Sequence, residues 1–402
     1  MPRLRMLERL LSMPLEDRAV LVRVDYNVPR SADRILDTTR LRESLPTLRE
    51  LGERGARTVL LSHGGRPNGK PDPELSLRPV AAALSDLLGA EVGFGSDSVG
   101  RAAQRTIEET AAGGYCLLEN LRFHPGEKSN SEGFAAELAD LGSLYVNDAF
   151  GCSHRAHASI VALPLRSATA VAGLLLQKEV EAFDKLLSSC ERPFVAIIGG
   201  AKIKGKIDTI DALFGRIDSL LIGGAMANTF LAAKGHDLGA SLVASEEIPV
   251  ARRVLEQAAQ SGLEVVLPED LVVTDRLDGD PSQRRIATRA VEDVGPAEIA
   301  VDLGPSSLER FDHAIAGAKA LFWNGPLGVF EVPPFDEGSH RVARSVAESD
   351  AYSVVGGGET VAAVNLAGVG ALIDHVSTGG GASLALVAGK VLPGIRALED
   401  GA

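Results

Sequence analysis

Three cysteines in 402 residues, Cys116, Cys152 and Cys190, stand far apart and form no CxxC pair. That spacing offers neither a disulfide framework nor a zinc site, and it suits a reducing cytosol. Basic residues are outnumbered, 41 Lys and Arg against 54 Asp and Glu, for a formal net charge of −13. A protein that coats nucleic acid needs a basic face to release counterions, so that role is excluded, although a local basic pocket stays open. No apolar run reaches the roughly 18 residues that would span a bilayer. The N-terminal MPRLRMLERLLSMPLEDR interrupts its apolar residues with Arg, Glu and Asp, so it lacks the apolar core of a signal peptide. The expectation is a soluble, cytoplasmic protein without nucleic-acid or membrane partners.

Glycine, in contrast, is plentiful, at 43 residues against a usual share of roughly 7%. The length suits about two domains. Ser167 to Ser189 reads as an amphipathic helix, with Leu176, Val180, Phe183 and Leu187 at helical spacing and charged residues between them. It divides two kinds of loop. Arg- and His-rich loops precede it, and Gly-rich loops follow it, so it reads as a connector between domains.

In the first half, short β-branched runs end directly in polar clusters. Ala19–Val24 ends in Asp25, Tyr26 and Asn27; Thr58–Ser62 in His63, Gly64, Gly65 and Arg66; Tyr115–Leu118 in Glu119, Asn120 and Arg122; Leu144–Val146 in Asn147, Asp148 and the SHRAH run with His154, Arg155 and His157. Helical patterns such as Thr39–Leu51 and Ser76–Leu88 separate them. Strand, polar loop and helix in repetition predict a doubly wound parallel sheet, whose ligands bind beyond the carboxyl ends of its strands. Arg40, just after a helix start at Asp37–Thr39, points to the same edge. Arg40, His63, Arg66, Arg122 and Arg155 thus make a pocket for a small, multiply anionic ligand, because guanidinium forks fit phosphate and carboxylate. Asp25 and Asn27 would bind its hydroxyl or orient the arginines.

In the second half the strands end in glycine: Phe194–Ile198 in GGAKIKGK, Ser219–Ile222 in GGAMAN, Ala320–Trp323 in NGPLGVFE, Ser353–Val355 in GGGET and His375–Val376 in STGGGAS. Glycines let backbone N–H groups approach phosphate, and GGGET and STGGG each feed a helix N-terminus, so a nucleotide is the natural occupant. Gly200 to Lys206 imitates a P-loop but continues with Ile207 where Ser or Thr should hold magnesium. Lys202 and Lys206 would still serve phosphate as point charges. Trp323, the single tryptophan, reads as core.

RVDYNVP, SHGGRP, LLENLRFHPGEKSN, NDAFGCSHRAHAS, RPFVAIIGGAK, WNGPLGVFE, VVGGGET and STGGGASL occur in one order along the chain. In this the sequence resembles the phosphoglycerate kinases over essentially its whole length. The resemblance implies an α/β fold of two doubly wound, Rossmann-like domains facing across a cleft. They would be residues 1–166 and 190–389, joined by the helix at 167–189, with the tail 390–402 returning to the first. It implies a monomeric, hinge-bending transferase of glycolysis that passes a phosphoryl group between 1,3-bisphosphoglycerate and Mg-ADP.

By the same resemblance Asp25, Asn27, Arg40, His63, Arg66, Arg122 and Arg155 form the phosphoglycerate site. Lys202, Lys206, Asn324, Glu331, Gly356, Gly357, Gly358, Glu359 and Thr360 form the nucleotide site, with Glu331 on the ribose and Glu359 on magnesium. Arg40 and Lys206 neutralise the migrating group, and Gly379, Gly380 and Gly381 offer backbone amides nearby. Four departures stand out: Glu359 for the usual Asp of GGGDT, Gly205 for an acidic residue, Gly64 for the Leu of SHLGRP, and Cys152-Ser153 for Thr-Ala. A relative that binds metabolite without turning it over is the rival reading, and Glu359 is the feature that favours it. A two-lobed solute-binding protein is opposed by the missing signal peptide.

Overall fold

The computed structural model describes residues 4–31, 34–278 and 280–399, with the backbone alone at Pro281. The chain divides into two units, Met1–Glu181 with Val391–Ala402, and Ala182–Lys390.

The strands of the first unit are β1 (Ala19–Val24), a small hairpin of β2 (Arg30–Ser31) and β3 (Arg34–Ile35), then β4 (Arg57–Leu61), β5 (Val92–Gly95), β6 (Tyr115–Leu118), β7 (Leu144–Asp148) and β8 (Thr169–Ala172). Six of them form one sheet in the order β5-β6-β4-β1-β7-β8, every pairing parallel. The apolar runs are continuous because such a sheet is covered on both faces. Val20, Val22 and Val24 pack with Leu60, Leu117 and Val146 against Leu41, Leu45 and Leu48 of the helix Thr39–Glu53 and Val80 and Leu84 of the helix Arg78–Leu88. Asp37 Oδ1 accepts from the Thr39 N–H at 2.8 Å and so starts the helix that carries Arg40. The segment 391–399 belongs to this unit: Arg5 N–H donates to Leu398 O at 3.0 Å and Gly394 N–H to Ser153 O at 2.9 Å.

Ser167 to Ser189 is not one helix. Thr169–Ala172 is the edge strand β8, paired with β7, and the helix begins only at Leu174, continuing past Asp184 as the π-wound turn Lys185–Ser189. Gly173 separates the two because its surroundings leave no room for a side chain: a Cβ there would lie 2.2 Å from Asp148 Oδ1. That oxygen accepts from the Leu175 N–H at 2.9 Å, an acidic group where the helix dipole favours one.

The second unit contains β9 (Phe194–Ile198), β10 (Ser219–Ile222), β11 (Glu264–Val266), β12 (Asp270–Thr274), β13 (Ile286–Ala290), β14 (Ile299–Leu303), β15 (Ala320–Asn324), β16 (Tyr352–Gly356) and β17 (His375–Val376). A six-stranded parallel sheet runs β11-β10-β9-β15-β16-β17. Trp323, fully buried, joins Val195, Ile197, Leu321 and Val355 in its core, against Phe311 and Ile315 of one helix and Val342 and Val346 of another. A separate antiparallel sheet, β13-β12-β14, has no counterpart in the sequence reading.

Leu60 is wholly buried at the middle of the first sheet. Leu60→Ala is expected to lower the unfolding free energy by about 2–5 kcal/mol, measured by urea denaturation followed by far-UV circular dichroism.

Candidate functional site

In the first unit, the loops that leave the carboxyl ends of β1, β4, β6 and β7 are knitted together by hydrogen bonds. Arg40 Nη1 donates to Asp25 Oδ2 at 2.9 Å and to Asn27 O at 3.0 Å. Asn27 Oδ1 accepts from the Gly65 N–H at 2.9 Å, and Arg122 Nη1 donates to Gly65 O at 2.7 Å. Asp25, Asn27, Arg40, His63 and Arg122 are thereby gathered at one edge. Arg66 and Arg155 lie exposed beside them, Arg155 donating to His154 Nε2 at 3.0 Å.

Beneath these side chains lies a group that the sequence reading passed over. Arg23, the penultimate residue of β1, is 0% exposed. Its Nε donates to Ser159 Oγ at 2.9 Å, its Nη2 to His63 Nδ1 at 3.1 Å and to Cys152 Sγ at 3.6 Å, and its Nη1 to Val24 O. Ser159 in turn donates from Oγ at 2.7 Å and from its backbone at 3.0 Å to the buried carboxylate of Glu127. Burial opposes the Arg23 charge, but Cys152, Glu127 and Asp25 more than offset it and hold its pKa above the ordinary arginine value. Asp25, despite its own burial, is held below the usual carboxylate range by Arg40, His63 and Arg23. Burial, with Arg23 and Arg122, pushes His63 well below the ordinary histidine value, Asp25 pulling the other way. A neutral His63 that accepts at Nδ1 must carry its proton on Nε2.

Asp25, His63 and Cys152 bring three ligand-type atoms within 4.8 Å of one another. The positions a cation would want are already served: Arg23 faces both His63 Nδ1 and Cys152 Sγ, and Arg40 binds Asp25. Cys152 is a buried thiol whose pKa burial raises to about 11, in keeping with an inert residue. Arg122 meanwhile keeps a buried Nε without a partner, and burial together with Arg155 and Arg23 lowers its pKa. Such a crowd of guanidiniums is a site built for anionic oxygens.

In the second unit the corresponding edge is made of backbone. Gly224, at φ +65°, comes so near the Gly200 loop that a Cβ would lie 2.8 Å from Gly200 N and from Pro326 O. Gly357, at φ +98°, makes the turn into the helix Gly358–Leu366, which carries Glu359 and Thr360 in its first turn. Asn324 Nδ2 donates to Gly356 O at 2.8 Å, and Thr360 Oγ1 accepts from the Gly325 N–H at 2.6 Å. Lys206 donates to Gly199 O, and burial lowers its pKa to about 8 against the opposing pull of Glu359. Lys202 is exposed, and Gly380, at φ +50°, precedes the helix Gly381–Val387. From this edge a cavity of about 240 Å³ runs inward, with Gly200, Glu331 and Glu359 among its lining residues and Asn228, Leu242 and Ala300 among the rest. A lining that mixes carboxylates and glycine backbone with apolar side chains suits a nucleotide.

One unit offers fixed cations and the other glycine loops with a lysine. The class defined by that fold and those edges is a two-domain phosphotransferase. A family model described as phosphoglycerate kinase matches residues 10–390. Phosphoglycerate kinases of Moorella thermoacetica and Rubrobacter xylanophilus are each 48% identical, covering 97% and 96% of this chain and 98% and 97% of their own. A solved phosphoglycerate kinase of Coxiella burnetii superposes with a TM-score of 0.83 at 37% identity, covering 96% of this chain and 97% of its own. That of Pyrococcus horikoshii gives 0.85 at 30% identity, covering 99% and 98%. The chain belongs to the phosphoglycerate kinase family, the glycolytic kinases that transfer a phosphoryl group between 1,3-bisphosphoglycerate and ADP.

His157 adds a pH dependence. Burial, with Arg122, Arg23 and Arg155, lowers its pKa from 6.5 to about 4. The unfolded chain therefore binds the extra proton first, so this group's contribution to stability is present above pH 6.5 and lost as pH falls toward about 4. Asp148 and Asp302, each raised to about 7 by burial, contribute the opposite slope. His157→Gln is expected to remove the histidine share, so that the variant-minus-native difference in urea unfolding free energy rises as pH falls from 6.5 toward about 4.

Proposed function

We propose that the guanidinium-rich edge of the first unit holds 3-phosphoglycerate or 1,3-bisphosphoglycerate and that the glycine loops of the second hold Mg-ADP or Mg-ATP. The observation that carries this reading is the contrast between the two edges, Arg23, Arg40, His63 and Arg122 converging on one and Lys206, Gly357 and the cavity on the other.

Arg40, Arg66, Arg122 and Arg155 would bind phosphate and carboxylate oxygens. Asp25 and Asn27 would bind the hydroxyl while fixing Arg40. Glu331 would receive the ribose hydroxyls, Asn324 and Thr360 would shape the loops facing the phosphates, and Lys202 would approach from the exposed side. A carboxylate acceptor is already ionised at neutral pH, so no side chain has to remove a proton. Catalysis is then alignment plus neutralisation, by Arg40 and Lys206 and by backbone N–H groups near Gly380, of charge spread over the migrating phosphoryl.

The magnesium reading falls on Glu359. Its carboxylate is exposed at the cavity rim in the first turn of a helix, a hard oxygen donor beside the phosphate loops, which fits a hard cation. Magnesium held there would lower the charge on the nucleotide phosphates. Compared with Asp, Glu359 carries its carboxylate about 1.5 Å further from the backbone. The same reading has the protein act in the cytoplasm as a monomer, closing about its connector so that the two ligands meet without water between them.

A coupled assay of ATP formation from 1,3-bisphosphoglycerate and ADP tests this. Magnesium-dependent turnover is expected, with a gain in Glu359→Asp and a loss of about a hundredfold or more in kcat for Arg40→Ala. Turnover that needs no divalent metal would refute the role of Glu359. A protein that binds 3-phosphoglycerate without turnover would support the non-catalytic reading instead.

A further inference from the structure

One carboxyl in the wall of the nucleotide cavity has no part in the roles above. Asp302, near the end of β14, is 4% exposed and lines the cavity. Its Oδ2 accepts from the Gly338 N–H at 2.7 Å, in the first turn of the helix Glu337–Glu348. Its Oδ1 is buried and has no hydrogen-bond partner. That oxygen is wedged between two glycines, since a Cβ on Gly328 would lie 2.3 Å from it and one on Gly338 2.2 Å. The backbone carbonyl of Phe335 crowds the same side of Gly328, 2.9 Å from where that Cβ would be. Neighbouring bonds converge on the same place: Val329 N–H donates to Val301 O at 2.9 Å, and Leu327 N–H to Ser339 Oγ at 3.0 Å. Leu327, Gly328 and Val329 are cavity wall. Asp302 therefore ties the end of β14 to a helix start and abuts the wall from behind at Gly328.

We infer that Asp302 is a positioning residue for nucleoside binding, whose neutral carboxyl holds the Leu327–Val329 wall against the base and ribose and whose ionisation loosens it. Oδ1 and the Phe335 carbonyl share the space beside Gly328, which a protonated carboxyl tolerates better than a negative one. Burial pushes this carboxyl up to about 7, the Gly338 and Leu303 N–H groups oppose the rise, and Asp336 and Glu337 add to it. Other charged groups stand further out. His340 Nδ1 lies 3.5 Å from Asp336, Arg284 lies over the Phe335 ring, and Glu331 and Glu359 line the cavity. The balance therefore favours the neutral form below neutrality and the ionised form above it. The inference rests on the nucleotide reading of this cavity.

Adenosine is the probe, because it lacks the phosphates whose own titration would obscure the effect. With the full chain, its Kd by calorimetry is expected to rise roughly three- to tenfold between pH about 6 and about 8.5. Asp302→Asn, neutral at every pH, is expected to bind with a flat profile near the native acidic value. A flat native profile, or an equal slope in folded Asp302→Asn, overturns the inference. Should that variant fail to fold, Asp302→Ser, which keeps a small acceptor for Gly338, is read by the same criterion. Ala300→Phe separates this from the underlying reading, since it fills the cavity. Adenosine binding that survives it removes the nucleotide assignment itself, whereas binding lost there with a flat native profile removes only the role of Asp302.

Discussion

A guanidinium with no exposure at the end of a central strand is the constraint on which the first unit turns. Arg23 cannot be buried unpaired, because an uncompensated interior charge costs several kcal/mol. Its partners are therefore dictated: Ser159 and Glu127 from one side, His63 and Cys152 from another. In satisfying Arg23, the loops after β4 and β7 are brought to the end of β1, where Asp25 and Arg40 complete the edge. The position of His63 and its tautomer follow from that one buried charge, and its neutrality from burial, which Arg23 reinforces.

Much of the fold was legible because parallel sheets write themselves as apolar runs ending in polar or glycine-rich loops. Four strands of the first six-stranded sheet, five of the second and the exit points of the motif loops were readable in that way. Arg23 was hidden by the same rule, since within AVLVRV it looks like a solvated interruption of a strand rather than a buried anchor. Its signal was there: a lone charge inside a run that a doubly covered sheet buries on both faces must be paired. Thr169–Ala172 was absorbed into a helix because four small and β-branched residues leading into a true amphipathic helix carry too little period to separate. The β13-β12-β14 sheet escaped because its strands alternate burial weakly and one, β13, has no fully buried residue. Asp302 and Asp148 were invisible as sites, because what marks them is the absence of room at Gly328, Gly338 and Gly173.

The two units answer one electrostatic problem with different materials. The first uses side-chain charge, which is strong and directional but must be desolvated and held, hence the buried network behind it. The second uses backbone amides exposed by glycines, which carry partial charges that need no partner to remain neutral overall. Lys206, half-buried beside Gly199 and influenced by the charge of Glu359, is a place where the second unit adopts the method of the first.

The return of residues 391–399 to the first unit orders events during synthesis. Gly394 lies against Ser153, where a Cβ would sit 3.0 Å from its Cα, and Leu398 accepts from the backbone of Arg5. The ribosome must make the entire second unit before those contacts exist. The second unit is an uninterrupted stretch of sequence and has all its parts as soon as it emerges. The first, although translated earlier, is finished later, and until then the SHRAH loop beside Ser153 waits without its backing. A translation product that stops before residue 391 would carry Arg40, Arg122 and Arg155 without those contacts behind Ser153.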